Sequence, residues 1–321
     1  MSAPSERPAW LRVLTSLPVR LAVTIGLLGL LALTIDWATV RERVEDGSWG
    51  WLVAGVALLF VALLAGARRW QALLVSAEVE SRWAPVFRAY MVGTFTNNFL
   101  PTGFGGDAVR AISIASRGPA LARAATTVLV DRITAFACLI ALAWLAVPFD
   151  PGSVPGELLT ALAIVSAGAL IAAALAGWAY GSARLRGLIP ERLRPLAIEL
   201  HRPLGALRGD RGLVARVAAL GFVYQGLLVA SAWAGARAIE LELSYPLVAV
   251  SATLVLLLTV LPISIAGFGV REGGYVAVLG AAGVGAATAT LFSLVTVVLL
   301  ALASLPGAFY LLAGRRSPAP A

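Results

Sequence analysis

The chain has 321 residues, of which 60% are hydrophobic and only 13% are charged. Soluble domains carry about 25% charged residues, so this composition excludes an ordinary soluble protein, a disordered chain and a disulfide-stapled secreted domain. A multi-pass membrane protein remains, in which lipid surrounds the apolar side chains. The net formal charge of +8 then favours loops that face anionic lipid, and we expect no nucleic-acid partner.

Six uncharged runs are long enough to cross a membrane, because about 20 helical residues span its hydrocarbon core. The first run follows arginines like a signal peptide, but no small-residue cleavage site follows it, so we predict an uncleaved helix. The predicted spans are 21–35, 49–67, 133–149, 158–180, 217–236 and 284–313.

The arginines predict the orientation. If the N-terminus is cytoplasmic and the stretches 89–117 and 245–283 each enter and leave on one side, nearly all arginines outside the membrane are cytoplasmic. That bias satisfies the positive-inside rule and puts both termini in the cytoplasm. The polar segment 184–216 is then an amphipathic cytoplasmic loop.

The two stretches share an interruption, in which Leu-Pro is followed by Gly-Phe-Gly and then by charged residues. Residues 89–100 form about 12 helical residues, or about 18 Å, which reaches only partway through a core of about 30 Å. Because proline ends a helix and glycine permits a tight turn, each stretch is predicted to be a re-entrant hairpin. The predicted hinges are Pro101, Gly103, Gly105, Gly106, Pro262, Gly267 and Gly269.

The predicted fold is therefore an all-α multi-pass membrane protein. It has six full transmembrane helices plus two re-entrant helical hairpins in an inverted-repeat arrangement, a pattern typical of transporter binding sites. We expect one membrane domain over 1–321, with halves at about 15–149 and 158–313.

Charged side chains inside apolar sequence mark the candidate site. A charge at membrane depth costs at least about 2.5 kcal/mol, so these side chains must pair or face a watery cavity. We expect Asp131 or Asp107 to meet Arg271, and Arg110 or Arg132 to meet Glu272. The candidate headgroup-binding residues are Asn97, Asn98, Asp107, Arg110, Asp131, Arg132, Arg271 and Glu272.

Structural roles stay open for several of these residues. Asp107 follows two glycines and could be only a helix N-cap. Asp131 and Arg132 could be a structural pair or could extend toward the interface. Asn97 and Asn98 could only cap the end of a broken helix.

The sequence motifs do not indicate a catalytic site or a cofactor-binding site. Neither Gly-Phe-Gly element completes a nucleotide-binding loop. Cys138 and His201 are each the only residue of their type, so no multi-ligand metal site is expected. We expect no catalytic residue, no metal and no cofactor.

Three motifs together carry a family resemblance. "FLPTGFGGDAVR" and "LPISIAGFGVREGG", with "VLVDRITAF" at 128–136, resemble the lysylphosphatidylglycerol synthase transmembrane family, also called the flippase-like domain. The resemblance covers about residues 15–313. It implies a membrane domain that moves an aminoacylated phospholipid between leaflets, which in bifunctional members is made by a separate C-terminal domain. Because the sequence stops at Ala321, we expect no such synthase domain and no enzyme activity.

The main hypothesis is a flippase-like protein of the bacterial inner membrane. Its lipid would be an anionic or aminoacylated phospholipid or a polyprenyl-phosphate-linked lipid, held by the arginines at its phosphate. Two alternatives stay open: a glycosyltransferase using a polyprenyl-phosphate sugar, with Glu45 and Asp46 as its candidate acids, and a cell-envelope scaffold. A homo-oligomer is compatible with each hypothesis.

Overall fold

A computed structural model describes residues 47–79, 81–98, 105–115, 118–181, 201–260 and 267–314, with the single residues Ala38, Glu42, Glu45 and Glu199. Over these residues the protein is all-α and contains no strand. The helices are α1 (Trp49–Ser76), α2 (Trp83–Asn97), α3 (Gly105–Ile114), α4 (Gly118–Ala146), α5 (Gly156–Gly181), α6 (His201–Gly209), α7 (Arg211–Ala238), α8 (Tyr245–Thr259), α9 (Val270–Gly280), α10 (Ala286–Ala303) and α11 (Leu305–Gly314).

Five of these helices are long and apolar enough to span a membrane, namely α1, α4, α5, α7 and α10. Helices suit a membrane because each helix satisfies its own backbone hydrogen bonds, whereas lipid tails offer no hydrogen-bond partners. The predicted first span, 21–35, lies outside the described residues, as do residues 184–198 and 200 of the predicted cytoplasmic loop. The side on which each terminus lies stays a prediction.

Two predicted spans have different limits in the structure. Helix α4 begins at Gly118 instead of residue 133, so it contains the charged pair at 131–132. The run 284–313, predicted as one span, is two helices with a break at Ser304. Pro306 explains the break, because a proline ring clashes with the carbonyl four residues earlier and donates no hydrogen bond.

Small residues let three long helices approach closely. Helix α1 packs along α7, and α10 covers both. At this contact Ser231 Oγ donates to the Gly55 carbonyl over 2.7 Å. A Cβ added at Gly55 would lie 3.0 Å from Leu299 of α10, so a larger residue there would require the Leu299 side chain to move. Close packing of small residues is a common source of helix association in membranes.

The two interrupted stretches form two pairs of short helices. Helix α2 packs against α3, and α8 packs against α9. Helix α2 begins at Trp83, six residues before the predicted start, and has 15 residues, or about 22 Å. Both α2 and α8 are thus shorter than a hydrocarbon core of about 30 Å. Whether the pairs enter and leave the membrane on one side stays a prediction.

Candidate functional site

Five charged side chains form one continuous series of ion pairs, which we call the ion-pair chain. Arg69 Nε lies 2.8 Å from Asp131 Oδ1, and Arg110 Nη2 lies 3.1 Å from Asp131 Oδ2. Arg110 Nε lies 3.2 Å from Asp107 Oδ1, and Arg132 pairs with Asp107 Oδ2. Each carboxylate therefore bridges two guanidinium groups.

The ion-pair chain runs from the protein interior to an accessible end. Arg69 and Asp131 are only 1% and 2% exposed, and Arg110 is 5% exposed. The side chain of Arg132, at the other end, keeps 29% of its surface accessible. Because a buried charge is tolerated only when it is paired, the aspartates are required to hold the arginines inside this apolar bundle.

Three helices bring the ion-pair chain together. Helix α3 carries Asp107 and Arg110 one turn apart, which puts both on one face. Helix α4 carries Asp131 and Arg132, and packs against both α3 and α1. Helix α1 supplies Arg69 from its last two turns.

A close contact between two glycines fixes α3 against α2. A Cβ added at Gly93 would lie 2.7 Å from the Gly106 carbonyl oxygen, and one added at Gly106 would overlap the Gly93 carbonyl oxygen. The Gly106 amide also donates to Asn97 Oδ1 over 2.7 Å. Only glycine allows the two backbones to approach this closely, and the approach sets where Asp107 and Arg110 lie.

Aromatic rings cover the buried arginines. The Arg110 guanidinium carbon lies 4.9 Å from the Trp70 ring and 5.3 Å from the Tyr90 ring. That of Arg69 lies 5.3 Å from the Tyr224 ring. Trp70 is itself held by a 3.1 Å hydrogen bond from its Nε1 to Thr127 Oγ1. Cation–π contacts of this kind further stabilise desolvated cations.

The ion-pair chain lines a cavity of about 300 Å³, which we call the central cavity. Residues from both interrupted stretches reach it, since α2 contributes its last turn and α8 its last turn. Three buried polar atoms of its lining residues have no hydrogen-bond partner among the described residues, namely Arg69 Nη1, Gln225 Oε1 and Arg110 Nε, although Arg110 Nε is in ion-pair contact with Asp107. The other described lining residues are Tyr90, Gly93, Thr94, Asn97, Ala135, Phe136, Leu139, Tyr224, Leu228, Leu256, Thr259, Val260 and Leu300.

The chemistry of this lining suits an anion. Guanidinium groups present planar pairs of donors that match phosphate and carboxylate oxygens. Both carboxylates of the cavity are already engaged by arginine. Within the described part of the chain, no group of three or more histidine, cysteine or acidic residues is placed to hold a metal ion.

Arg271 and Glu272 form a separate pair, which corrects our predicted partners. Arg271 Nη2 lies 3.1 Å from Glu272 Oε1, and Glu272 Oε2 accepts from the Gly269 amide over 2.6 Å. The pairs predicted with Asp131, Asp107, Arg110 or Arg132 are wrong, because those four residues engage one another. Glu272 instead closes the first turn of α9, where a carboxylate is favoured by the free amides. Neither residue lines the central cavity.

The other predicted site residues divide between the cavity and its support. Asn97 lines the cavity and holds the Gly106 amide. Asn98 does not line it, and its Nδ2 donates over 3.0 Å to Ser304 Oγ, at the break between α10 and α11. Asn98 therefore joins the end of α2 to that break.

The predicted hinges have three different outcomes. Gly267 and Gly269 have φ values of 78° and 82°, a region that favours glycine, so both lie in a turn, and their role as hinges stays a prediction. Gly105 and Gly106 were predicted in a turn but are the first residues of α3. Pro101, Gly103 and Pro262 lie outside the described residues.

Sequence reasoning missed Arg69 as a site residue. The predicted span ended at residue 67 because two arginines follow, but α1 continues to Ser76 with Trp70, Leu73 and Leu74 fully buried. Those apolar residues at helical spacing were the available signal for a buried arginine. No motif distinguishes Tyr90, Tyr224 or Gln225, and only the packing brings them to the cavity.

Comparison with known proteins supports the resemblance carried by the three motifs. No curated protein matches the chain significantly. The family model described as the lysylphosphatidylglycerol synthase TM region matches residues 18–307, which is most of the chain. The protein is thus a multi-pass membrane protein, and it belongs to the lysylphosphatidylglycerol synthase TM region family.

Proposed function

We propose that this protein moves a phosphate-bearing lipid between the two leaflets of a bacterial inner membrane. The headgroup enters the central cavity while the acyl chains stay in lipid. One observation carries the proposal: a series of three arginines and two aspartates lines a cavity inside a largely apolar helical bundle. Charges at membrane depth are costly and usually mark the path of a charged substrate.

The size of the cavity supports this reading. About 300 Å³ is at the lower limit of small-molecule sites, so it can take a headgroup but not the tails. The accessible end of the ion-pair chain is Arg132, which makes this guanidinium the first contact for an entering phosphate. Arg110 lies behind it, one carboxylate further into the protein.

The two helix pairs supply a means of opening the cavity from either side. The ends of α2 and α8 both line it, and the turn before α9 contains two glycines with positive φ. Broken helices at a midplane site are the usual gates of transporters with inverted repeats. We propose that the α2–α3 and α8–α9 pairs open in alternation, and that the movement is downhill or coupled to an ion gradient.

The decisive experiment compares two arginines of α4. Arg132→Gln removes the accessible cation of the cavity, while Asp107 keeps Arg110 as its partner. Arg123→Gln is the matched control, because its side chain is 23% exposed, pairs with Glu78 and Glu199, and lies outside the cavity. Translocation is measured in proteoliposomes as the rate at which an acyl-labelled phospholipid becomes accessible to an external quencher.

We expect Arg132→Gln to slow translocation by about tenfold to a hundredfold, since a hydrogen bond to a charged group contributes about 1.5–3 kcal/mol. Arg123→Gln should stay within about twofold of the unmodified protein, because Arg123 does not line the cavity. Equal rates for the two variants would remove the cavity from the transport path. Absence of translocation by the unmodified protein above that of protein-free vesicles would refute the function itself.

A further inference from the structure

We infer that a second cavity, between α1, α6 and α7, binds an anionic phospholipid from the adjacent leaflet. We call this cavity the boundary groove. Arg68 and Arg216 hold the lipid at its phosphate, and this lipid is distinct from any lipid whose headgroup occupies the central cavity. The inference goes beyond the proposed function and does not depend on it.

The boundary groove is large and separate from the central cavity. Its volume is about 900 Å³, against about 300 Å³ for the central cavity, and the two have no lining residue in common. The neighbours Arg68 and Arg69 of α1 line different cavities, since Arg69 belongs to the ion-pair chain. A lipid in the groove therefore occupies a site of its own.

Both arginines of the groove lie at the end of an uncharged helical run. Residues 49–67 of α1 carry no charge before Arg68, and residues 217–236 of α7 carry none after Arg216. Each run is about 30 Å long, which is about the thickness of the hydrocarbon core. Because the groove joins these two ends, it lies at the membrane boundary, at the level of the lipid phosphates.

The charge of the groove favours an anion. Its one acidic lining residue, Asp210, caps α7 by accepting from the Gly212 and Leu213 amides over 2.8 and 3.0 Å. Within the described part of the chain, neither Arg68 nor Arg216 has an acidic partner at ion-pair distance. Basic pockets between transmembrane helices are suited to anionic lipid headgroups.

Arg68 is held in position without an acid. Its Nη1 donates to Gln71 Oε1 over 3.2 Å, and its guanidinium carbon lies 3.7 Å from the centre of the Trp83 ring. Gln71 Nε2 in turn donates to the Ser81 carbonyl over 3.0 Å. These contacts restrict the guanidinium while its charge stays uncompensated, so a phosphate can pair with it at little further cost in side-chain order.

The apolar part of the lining distinguishes a lipid from a free phosphate. Val75, which is 60% exposed, lines the groove together with Leu213 and Leu220. These side chains gain nothing from a hydrated soluble anion, whereas the upper acyl chains of a phospholipid cover them. An anionic phospholipid therefore matches both the charged and the apolar part of the lining.

The test is protection of a cysteine that is placed in the groove. Cys138→Ser removes the only native thiol, and Ser76→Cys adds one in the lining. The purified protein in a neutral detergent is titrated with phosphatidylglycerol, phosphatidylcholine or glycerol phosphate, and its modification by a water-soluble thiol reagent is timed. We expect phosphatidylglycerol to protect at concentrations about tenfold or more below phosphatidylcholine, because each arginine at a membrane surface contributes about fivefold. Glycerol phosphate should not protect in the same range.

Substitutions of single arginines locate the lipid. Arg216→Gln and Arg68→Gln should each raise the phosphatidylglycerol concentration needed for protection by about fivefold. Arg211→Gln is the matched control, because it removes the same charge from an exposed position of α7 outside the groove. It should change that concentration by less than about twofold, since a charge outside the site acts only through a screened field.

Four results would overturn the inference. Equal protection by phosphatidylcholine would show that the groove does not recognise charge, and equal protection by glycerol phosphate would show a site for a soluble anion. No protection by any lipid would show that the groove holds something else, and an equal effect of Arg211→Gln would show only a general surface charge. If Ser76→Cys does not fold, Ala219→Cys places the thiol elsewhere in the same lining. Because no translocation is measured, each result leaves the proposed function to its own experiment.

Discussion

Asp131 is the residue whose loss should be most costly to the fold, because it compensates two buried arginines at once. Asp131→Asn keeps the side-chain shape but removes the charge between Arg69, at 2.8 Å, and Arg110, at 3.1 Å. Breaking a buried ion pair by removing one partner costs about 3–5 kcal/mol. Arg110 keeps Asp107, so the uncompensated cation in the variant is Arg69.

A second substitution should cost less when it is combined with the first. Arg69→Met alone leaves Asp131 paired with Arg110, so we expect a smaller loss of about 1–3 kcal/mol. The double variant Asp131→Asn/Arg69→Met contains no uncompensated arginine, because Arg110 retains Asp107. The two losses should therefore be non-additive, and the double variant should lose about 0.5–3 kcal/mol less than the sum of the two single losses.

Cys138 provides the assay. It is the only cysteine of the chain and is 8% exposed. A Cβ added at Gly221 would lie 2.5 Å from its Sγ and 3.6 Å from Arg69 Nη1, so the thiol is close to the ion-pair chain. Its labelling rate by a thiol reagent measures how often the core opens, provided that closing is faster than labelling.

With each tenfold change in rate equal to about 1.4 kcal/mol, Asp131→Asn should accelerate labelling by roughly two to three and a half orders of magnitude. Arg69→Met should accelerate labelling by about one to two orders of magnitude. Arg68→Met is the control, since this neighbouring arginine is exposed and stacks on Trp83. The reasoning is refuted if the logarithmic increase in labelling rate of the double variant equals or exceeds the sum of those of the two single variants, or if Arg69→Met equals Asp131→Asn.

Two glycine contacts give further predictions, each with a control that has open space around it. Gly106→Ala should cost at least about 3 kcal/mol, because its Cβ would overlap the Gly93 carbonyl oxygen and the backbone cannot move aside. Its control is Gly273→Ala, whose Cβ has nothing within 4 Å. This control should stabilise its helix by about 0.4–1 kcal/mol. Gly307→Ala should separate α11 from α2, because its Cβ would lie 2.7 Å from the Met91 carbonyl carbon, whereas Gly280→Ala meets nothing. Thermal unfolding in detergent checks both pairs, and equal midpoints for a variant and its control would contradict the close contact.

The parts of the structure that follow from local rules were predictable from the sequence. Composition alone required a helical membrane protein, and the prolines at 101 and 262 required that α2 and α8 be short. Asp107, Arg110 and Asp131 were predicted as site residues because a charged side chain in an apolar run is costly unless it is paired or functional.

The parts that depend on packing were not predictable. Arg271 and Glu272 are adjacent on a helix, where side chains normally point apart, and we therefore predicted partners elsewhere. Glu272 instead turns toward the Gly269 amide at the start of α9, and Arg271 follows it. Pairing of this kind is decided by the free amides of one helix end, which no pairwise charge argument in the sequence reveals.

The order of charges in the ion-pair chain bears on how a phosphate could enter at low cost. From the accessible end inward, the order is Arg132, Asp107, Arg110, Asp131 and Arg69, with the signs alternating. A phosphate that takes Arg132 from Asp107 leaves that carboxylate with Arg110, so no charge is left unpaired. A phosphate that moves deeper into the cavity must compete with Asp107 and Asp131 for Arg110. If Arg110 leaves them, Asp107 can still pair with Arg132 and Asp131 with Arg69. Alternation thus allows every step of the proposed entry to exchange one ion pair for another, which avoids the several kcal/mol that an uncompensated buried charge would cost.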